Sequence, residues 1–84
     1  MNTDPFENHQ LIPQISVIIP TLNESHVIRN TFESIQNISG VEILVVDGGS
    51  VDDTVHIAQT YNVQIFHSPP GRACQMNKGA SVAN

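Results

Sequence analysis

The 84-residue sequence predicts an α/β fold, a parallel sheet within three layers laid out as β-α-β-α-β-α. Three observations carry this. Short apolar runs of strand length stand at 15–19, 41–46 and 63–66, the first mostly β-branched; the segments between them repeat apolar residues at helical spacing; and the connections are only a few residues long. Strands and helices that alternate this way join in parallel through right-handed crossovers, with helices covering both faces of the sheet.

Ile15-Ser16-Val17-Ile18-Ile19, closed by Pro20, is too short and too branched for a helix and reads as the first strand. Val27, Ile28, Phe32 and Ile35 then share one helical face while Arg29, Asn30, Glu33 and Gln36 share the other, which predicts a helix over 24–36. Two starts are open to it, a capping box from Thr21 to Glu24 or Asn23 as N-cap. Ser39-Gly40 stops the helix, and the nearly continuous apolar run Val41 to Val46 predicts a central parallel strand. Asp47-Gly48-Gly49-Ser50 forms a tight turn, after which Ser50 or Asp52 caps a second helix with Val51, Val55 and Ala58 on its inner face. Asn62 is expected as a left-handed C-cap before a third strand at 63–66. A Ser68-to-Gly71 loop then leads into a third helix from Arg72 to Ala83, weakened by Gly79.

With 39% hydrophobic residues, five glycines and five prolines, the chain makes one small domain at most. Residues 1–14 are polar and broken by Pro5 and Pro13, so they are expected to be a flexible lead-in to a folded unit at 15–84. The net charge of −5 argues against nucleic acid or a polybasic membrane anchor as partner. Its distribution is uneven: residues 1–67 hold Arg29 and all eight acids, −7, whereas residues 68–84 hold Arg72 and Lys78 with no acid, +2. No stretch approaches the roughly 18–20 apolar residues that cross a bilayer, and the first ten residues have no signal-peptide pattern. The single Cys74 allows no intrachain disulfide and no Cys-based zinc site, and it is expected as a small buried hydrophobe. The expected localisation is cytoplasmic.

Ligands of open α/β sheets bind beyond the carboxyl ends of the strands, which puts Pro20 to Glu24 and Asp47 to Ser50 side by side on one rim. Asp47, at the mouth of an apolar strand, either accepts hydrogen bonds from a base N–H or ribose hydroxyls or bonds the backbone of Gly49 or Ser50 as a turn residue. Gly48-Gly49 permits close approach of a ligand or an ordinary turn. Glu24 binds ribose or a base edge, or completes the capping box. Arg72, at the start of a helix after Pro69-Pro70-Gly71, suits phosphate through free N–H groups and its guanidinium; the other reading is a surface base on an acidic protein. Asp52 and Asp53 read as first-turn acids with no third oxygen ligand spaced to join them. His9, His26, His56 and His67 have no ligand-set spacing, and neither G-x-G-x-x-G nor a Walker loop occurs.

Three segments, ISVIIPTLNESHVI at 15–28, VEILVVDGGSVDDT at 41–54 and PGRACQMNKGA at 70–80, together resemble the beginning of a family 2 glycosyltransferase of the GT-A, Rossmann-like fold. The resemblance implies the donor nucleotide-binding half of that domain at 15–84. It implies transfer of a sugar from a nucleoside diphosphate sugar to an acceptor with inversion, with Mg2+ or Mn2+ on the diphosphate. Carried over by position, Pro20, Thr21, Leu22, Asn23 and Glu24 would hold the nucleoside, Leu22 as an apolar wall for the base. Asp47 falls on the acid that contacts base or ribose; many members have two acids there, and this chain has Gly48 in the second place. Arg72 falls on a basic residue near the donor, and Asn77 lies on the same helix.

In the family, the metal is held by a D-x-D motif on the next strand, and a later acidic residue is the general base. The sequence contains neither. It is therefore expected to be a fragment that binds donor nucleotide without catalytic or metal-ligating residues of its own. The other reading is a non-catalytic nucleotide-binding or interaction module. An unpaired edge on the first strand would then leave residues 15–19 open to self-association.

Overall fold

The structure, a computed structural model, describes residues 15–83, so the lead-in expected at 1–14 lies outside the described residues. The elements are β1 (Ile15–Thr21), α1 (Ile28–Ile35), β2 (Val41–Asp47), α2 (Thr54–Ala58), β3 (Gln64–His67) and α3 (Arg72–Val82). The strands form one parallel sheet in the order β1-β2-β3. Ile15 pairs with Val41, Thr21 with Asp47, and Asp47 in turn with His67, so the carboxyl ends of all three strands finish level. Among the described residues β1 is paired on one side only.

β2 is central and buried on both faces, which is why its sequence lacks alternation. Ile43 and Val45 point to one face, where Ile28 and Phe32 of α1 and Ala58 of α2 complete a buried cluster. Leu44 and Val46, fully buried, point to the other by the two-residue period, and there α3 packs across β1 and β2. Two crossovers of one hand that step in the same direction across a sheet must lie on the same face, so α1 and α2 share a layer and α3 makes the third. Burying each of Phe32, Leu44, Val45 and Val46 contributes about 1.5–3 kcal/mol.

Gly79 explains how closely α3 sits. A Cβ there would collide with Ile18 Cγ2 and lie 3.1 Å from its Cγ1. The glycine expected only to weaken the helix is what lets it reach β1. At the amino ends of the strands a polar ladder crosses the sheet: Ser16 Oγ donates to Glu42 Oε2 at 2.6 Å, and Gln64 Nε2 donates to Glu42 Oε1 at 3.1 Å.

Several local expectations are corrected. The first helix begins regularly only at Ile28, after a turn in which Val27 and Ile28 N–H both donate to Glu24 O. Neither Thr21 nor Asn23 caps it: Thr21 ends β1, and Asn23 sits at φ 55°. The second helix is short, and Val51 is 91% exposed instead of facing inward; Thr54 and Ala58 are its buried residues. Neither Ser50 nor Asp52 is its N-cap: that position is Asp53, whose side chain makes no capping bond, and Asp52, one residue earlier, accepts from Thr54 N–H at 3.0 Å. Asn62 is not left-handed, since Asn23 is the one non-glycine residue at positive φ among those described. The third strand is shifted by one residue, and Cys74 is exposed.

Candidate functional site

The rim at the carboxyl ends of β1 and β2 is organised by Asp47, which is 1% exposed. Its Oδ1 accepts from the hydroxyls of Thr21 at 2.8 Å and Ser50 at 2.5 Å; its Oδ2 accepts from the N–H groups of Gly49 at 3.0 Å and Ser50 at 2.8 Å. All four acceptor positions of the carboxylate are occupied, and of the two roles open to Asp47 the turn is the one seen. Burial pushes its carboxyl up, and the hydrogen bonds from Ser50, Thr21 and Gly49 outweigh that, so the pKa lies below its ordinary value.

A second set of bonds clasps the segment after β1 to the segment after β2. Asn23 N–H donates to Ser50 Oγ at 2.9 Å, and Asn23 Oδ1 accepts from Val51 N–H at 2.8 Å. Glu24 N–H donates to Thr54 Oγ1 at 2.8 Å, and Ser25 N–H donates to Asp52 Oδ2 at 3.2 Å. The hydroxyl of Thr54, fully buried, in turn donates to Asp52 Oδ1. That bond, with those from Thr54 N–H and Ser25, holds the Asp52 carboxyl well below the usual carboxylate range despite some desolvation. The clasp fixes Asn23 at positive φ and leaves the Glu24 side chain outside the network.

Beside this rim lies a cavity of about 230 Å³. Pro20, Thr21, Leu22 and Glu24 line it from β1 and its loop; Gly71, Arg72 and Gln75 line it from the start of α3. Five residues singled out in the sequence thus meet there, although Glu24 and Arg72 are 48 positions apart. Neither the Glu24 carboxylate nor the Arg72 guanidinium has a partner among the described residues. Leu22 is 41% exposed beside them. Asn23, Asp47 and Gly48 do not line the cavity, and Asn77 and Lys78 are exposed farther along α3.

Sequence reasoning missed Gln75, which is 4% exposed. Its spacing held a signal: Gln75 and Gly79 are four residues apart and so share a helix face, the one buried against the sheet. Gly48 leaves Gln75 its room: a Cβ there would lie 3.0 Å from Gln75 Cδ and 3.1 Å from Pro70 Cα, so one of them would have to give.

Among the described residues no group of three or more His, Cys, Asp or Glu side chains comes together that could hold a metal ion. Asp52 is engaged by Thr54 and Ser25, and Asp47 by its four donors. No described helix is long and apolar enough to cross a membrane.

The family model for glycosyl transferase family 2 matches residues 16–84. The chain is 46% identical over 56 residues to an uncharacterized glycosyltransferase of Rickettsia prowazekii, covering 67% of this chain and 19% of that protein. It is 43% identical over 80 residues to the PGL/p-HBAD biosynthesis glycosyltransferase of Mycobacterium bovis, covering 84% of this chain and 31% of the relative. Its fold is similar to that of glucosyl-3-phosphoglycerate synthase from Mycobacterium tuberculosis, a crystal structure in complex with Mn2+, UDP-glucose and phosphoglyceric acid. That match has a TM-score of 0.78 and 26% identity over 93% of this chain and 32% of the synthase. The chain spans between 19% and 32% of the length of these proteins. The parallel β-α-β-α-β-α order, the rim at the strand ends and the match from residue 16 onward agree: this chain belongs to glycosyl transferase family 2 and has the GT-A, Rossmann-like fold.

Proposed function

We propose that the cavity between β1 and α3 is the donor site of a sugar transferase and takes the nucleoside diphosphate part of a nucleotide sugar. The observation that carries this is the pair of unpartnered opposite charges, Glu24 and Arg72, facing one cavity at the carboxyl end of a parallel sheet. A carboxylate accepts from ribose hydroxyls or a base N–H; a guanidinium beside the N-terminus of α3 takes phosphate oxygens in a bidentate manner. Leu22 supplies the apolar wall for the base. Pro20 and Thr21 form the floor, while Asn23, Asp47 and Gly48 shape the rim from behind. Residues 15–84 then act as the donor-binding half of a transferase domain, with inversion at the sugar carbon and an acceptor bound elsewhere.

Mn2+ accompanies UDP-glucose in the mycobacterial synthase structure. For this chain the reading is donor binding, with the cation's ligands left to residues beyond those described here. Titration with UDP in EDTA, followed by backbone NMR, tests the reading. Shifts confined to 20–24 and 71–75 support it; shifts elsewhere, or none at millimolar UDP, would overturn it.

A further inference from the structure

We infer that Gln75 is a positioning residue of the donor site, a buried carboxamide that fixes where Arg72 stands relative to the strand rim. The inference rests on the donor-site reading above and deepens it. Gln75 Nε2 donates to Thr21 O at 3.0 Å and to Val46 O at 2.8 Å, while Gln75 Oε1 accepts from Gly71 N–H at 3.2 Å. Both amide protons and the carbonyl oxygen are therefore spent on main chain, at the ends of β1 and β2 and at the residue that opens α3. A side chain must offer two donors and one acceptor in a plane to make this set, and among residues of this length only glutamine does.

Two features give the knot a function beyond packing. Gly71, at φ 131°, directly precedes Arg72, so the bond from its N–H to Gln75 sets the point from which the guanidinium reaches the cavity. Gln75 also occupies the space that a side chain at position 48 would need. The rim therefore carries no group from β2 into the cavity, and its charge chemistry falls to Glu24 and Arg72. Glu24 is held by the clasp to Thr54, independently of Gln75. Loss of the carboxamide should consequently displace the phosphate arm and leave the nucleoside arm in place.

The experiment compares the wild-type chain with Gln75→Met, using UDP and uridine as probes in NMR titrations. The expected result is a loss of UDP affinity of at least fivefold with uridine affinity unchanged within twofold. A merely structural role would weaken both alike, and an equal loss or no loss overturns the inference. Two ligand-free readouts separate its failure from that of the donor-site reading. In the wild type the Gln75 carboxamide protons should exchange with water at least tenfold more slowly than those of the exposed Gln59. In Gln75→Met the Gly71 amide should lose protection while Ile43 and Val45 keep theirs. If the wild type binds neither probe, the donor-site reading fails, and protection at Gly71 still decides the positioning role. If Gln75→Met does not fold, the wild type decides it: UDP but not uridine should shift the Gln75 carboxamide and Gly71 amide signals, and an equal response to both probes, no response to either, or carboxamide exchange as fast as Gln59 overturns the inference.

Discussion

Thr21 and Asp47 are register partners at the carboxyl ends of adjacent parallel strands, and the hydroxyl of one donates to the carboxylate of the other at 2.8 Å inside the fold. The bond ties the two strand ends together where the cavity opens. Because the same carboxylate also orders Gly49 and Ser50, Asp47→Asn keeps one acceptor for their N–H groups but removes the charge and sets an amide against the Thr21 and Ser50 hydroxyls, which must then accept instead of donating. Urea unfolding should show a loss of about 2–3 kcal/mol, as for a buried charge-assisted network deprived of one acceptor. A loss below about 0.5 kcal/mol, the range of neutral surface changes, would contradict the network.

Asp52 and Asp47 both titrate below their ordinary value in the folded chain. A carboxyl whose folded pKa is depressed adds stability that is complete above its unfolded value, about 3.9, and is lost as pH falls through the folded value. The thermal midpoint should therefore hold steady above about pH 5 and fall below about pH 4. Asp52→Asn keeps an acceptor for Thr54 but abolishes that titration, so its midpoint should fall less steeply over the same interval. Parallel wild-type and variant profiles would assign the acid sensitivity elsewhere.

Gly79→Ala brings a methyl group against Ile18. Alanine favours the helix by roughly 1 kcal/mol, and overpacking costs about 1–3 kcal/mol, so the net change should be a destabilisation of about 1 kcal/mol. Ile18→Ala removes the obstructing Cγ2. The double variant should therefore be more stable than the sum of the two single changes allows, a coupling measurable by denaturant unfolding. Additivity within about 0.3 kcal/mol would show that α3 lies farther from β1.

Arg72→Ala should weaken UDP binding about tenfold, the effect of losing one charge-assisted phosphate contact, with little change for uridine. Glu24→Gln should weaken UDP and uridine together. Neither side chain has a partner among the described residues, so both variants should unfold within about 0.5 kcal/mol of the wild type. Calorimetry with a matched urea titration checks both halves; a strong stability change in either variant would mean that the charge serves the fold.

The parts that proved legible in the sequence obey local rules. The nearly continuous Val41-to-Val46 run announced a strand buried on both faces, and the strand-end rule set Pro20 to Glu24 beside Asp47 to Ser50, as the pairing of Thr21 with Asp47 has it, whereas Arg72 was joined to that rim only by the family resemblance. What escaped was set by bonds between distant positions. Asn23 reads as a cap from its neighbours alone, yet bonds to Ser50 and Val51, 27 and 28 residues away, put it at positive φ and delay α1. Val51 follows helical spacing but precedes the helix, which begins at Thr54 after Asp53 as its N-cap. Gln75 is a polar residue in a polar helix, and its meaning arises only through Thr21 and Val46, 54 and 29 positions earlier.

Glu24 belongs to a segment anchored in the layer of α1 and α2, and Arg72 to the helix on the opposite side of the sheet. A molecule gripping both would act as a strut between two layers that pack on opposite faces of the strands. Ligand occupancy should then stiffen α3 against the sheet, and the bound chain would resist heat and proteolysis at Arg72 and Lys78 in proportion to ligand saturation. The nucleotide would be cargo and mortise at once.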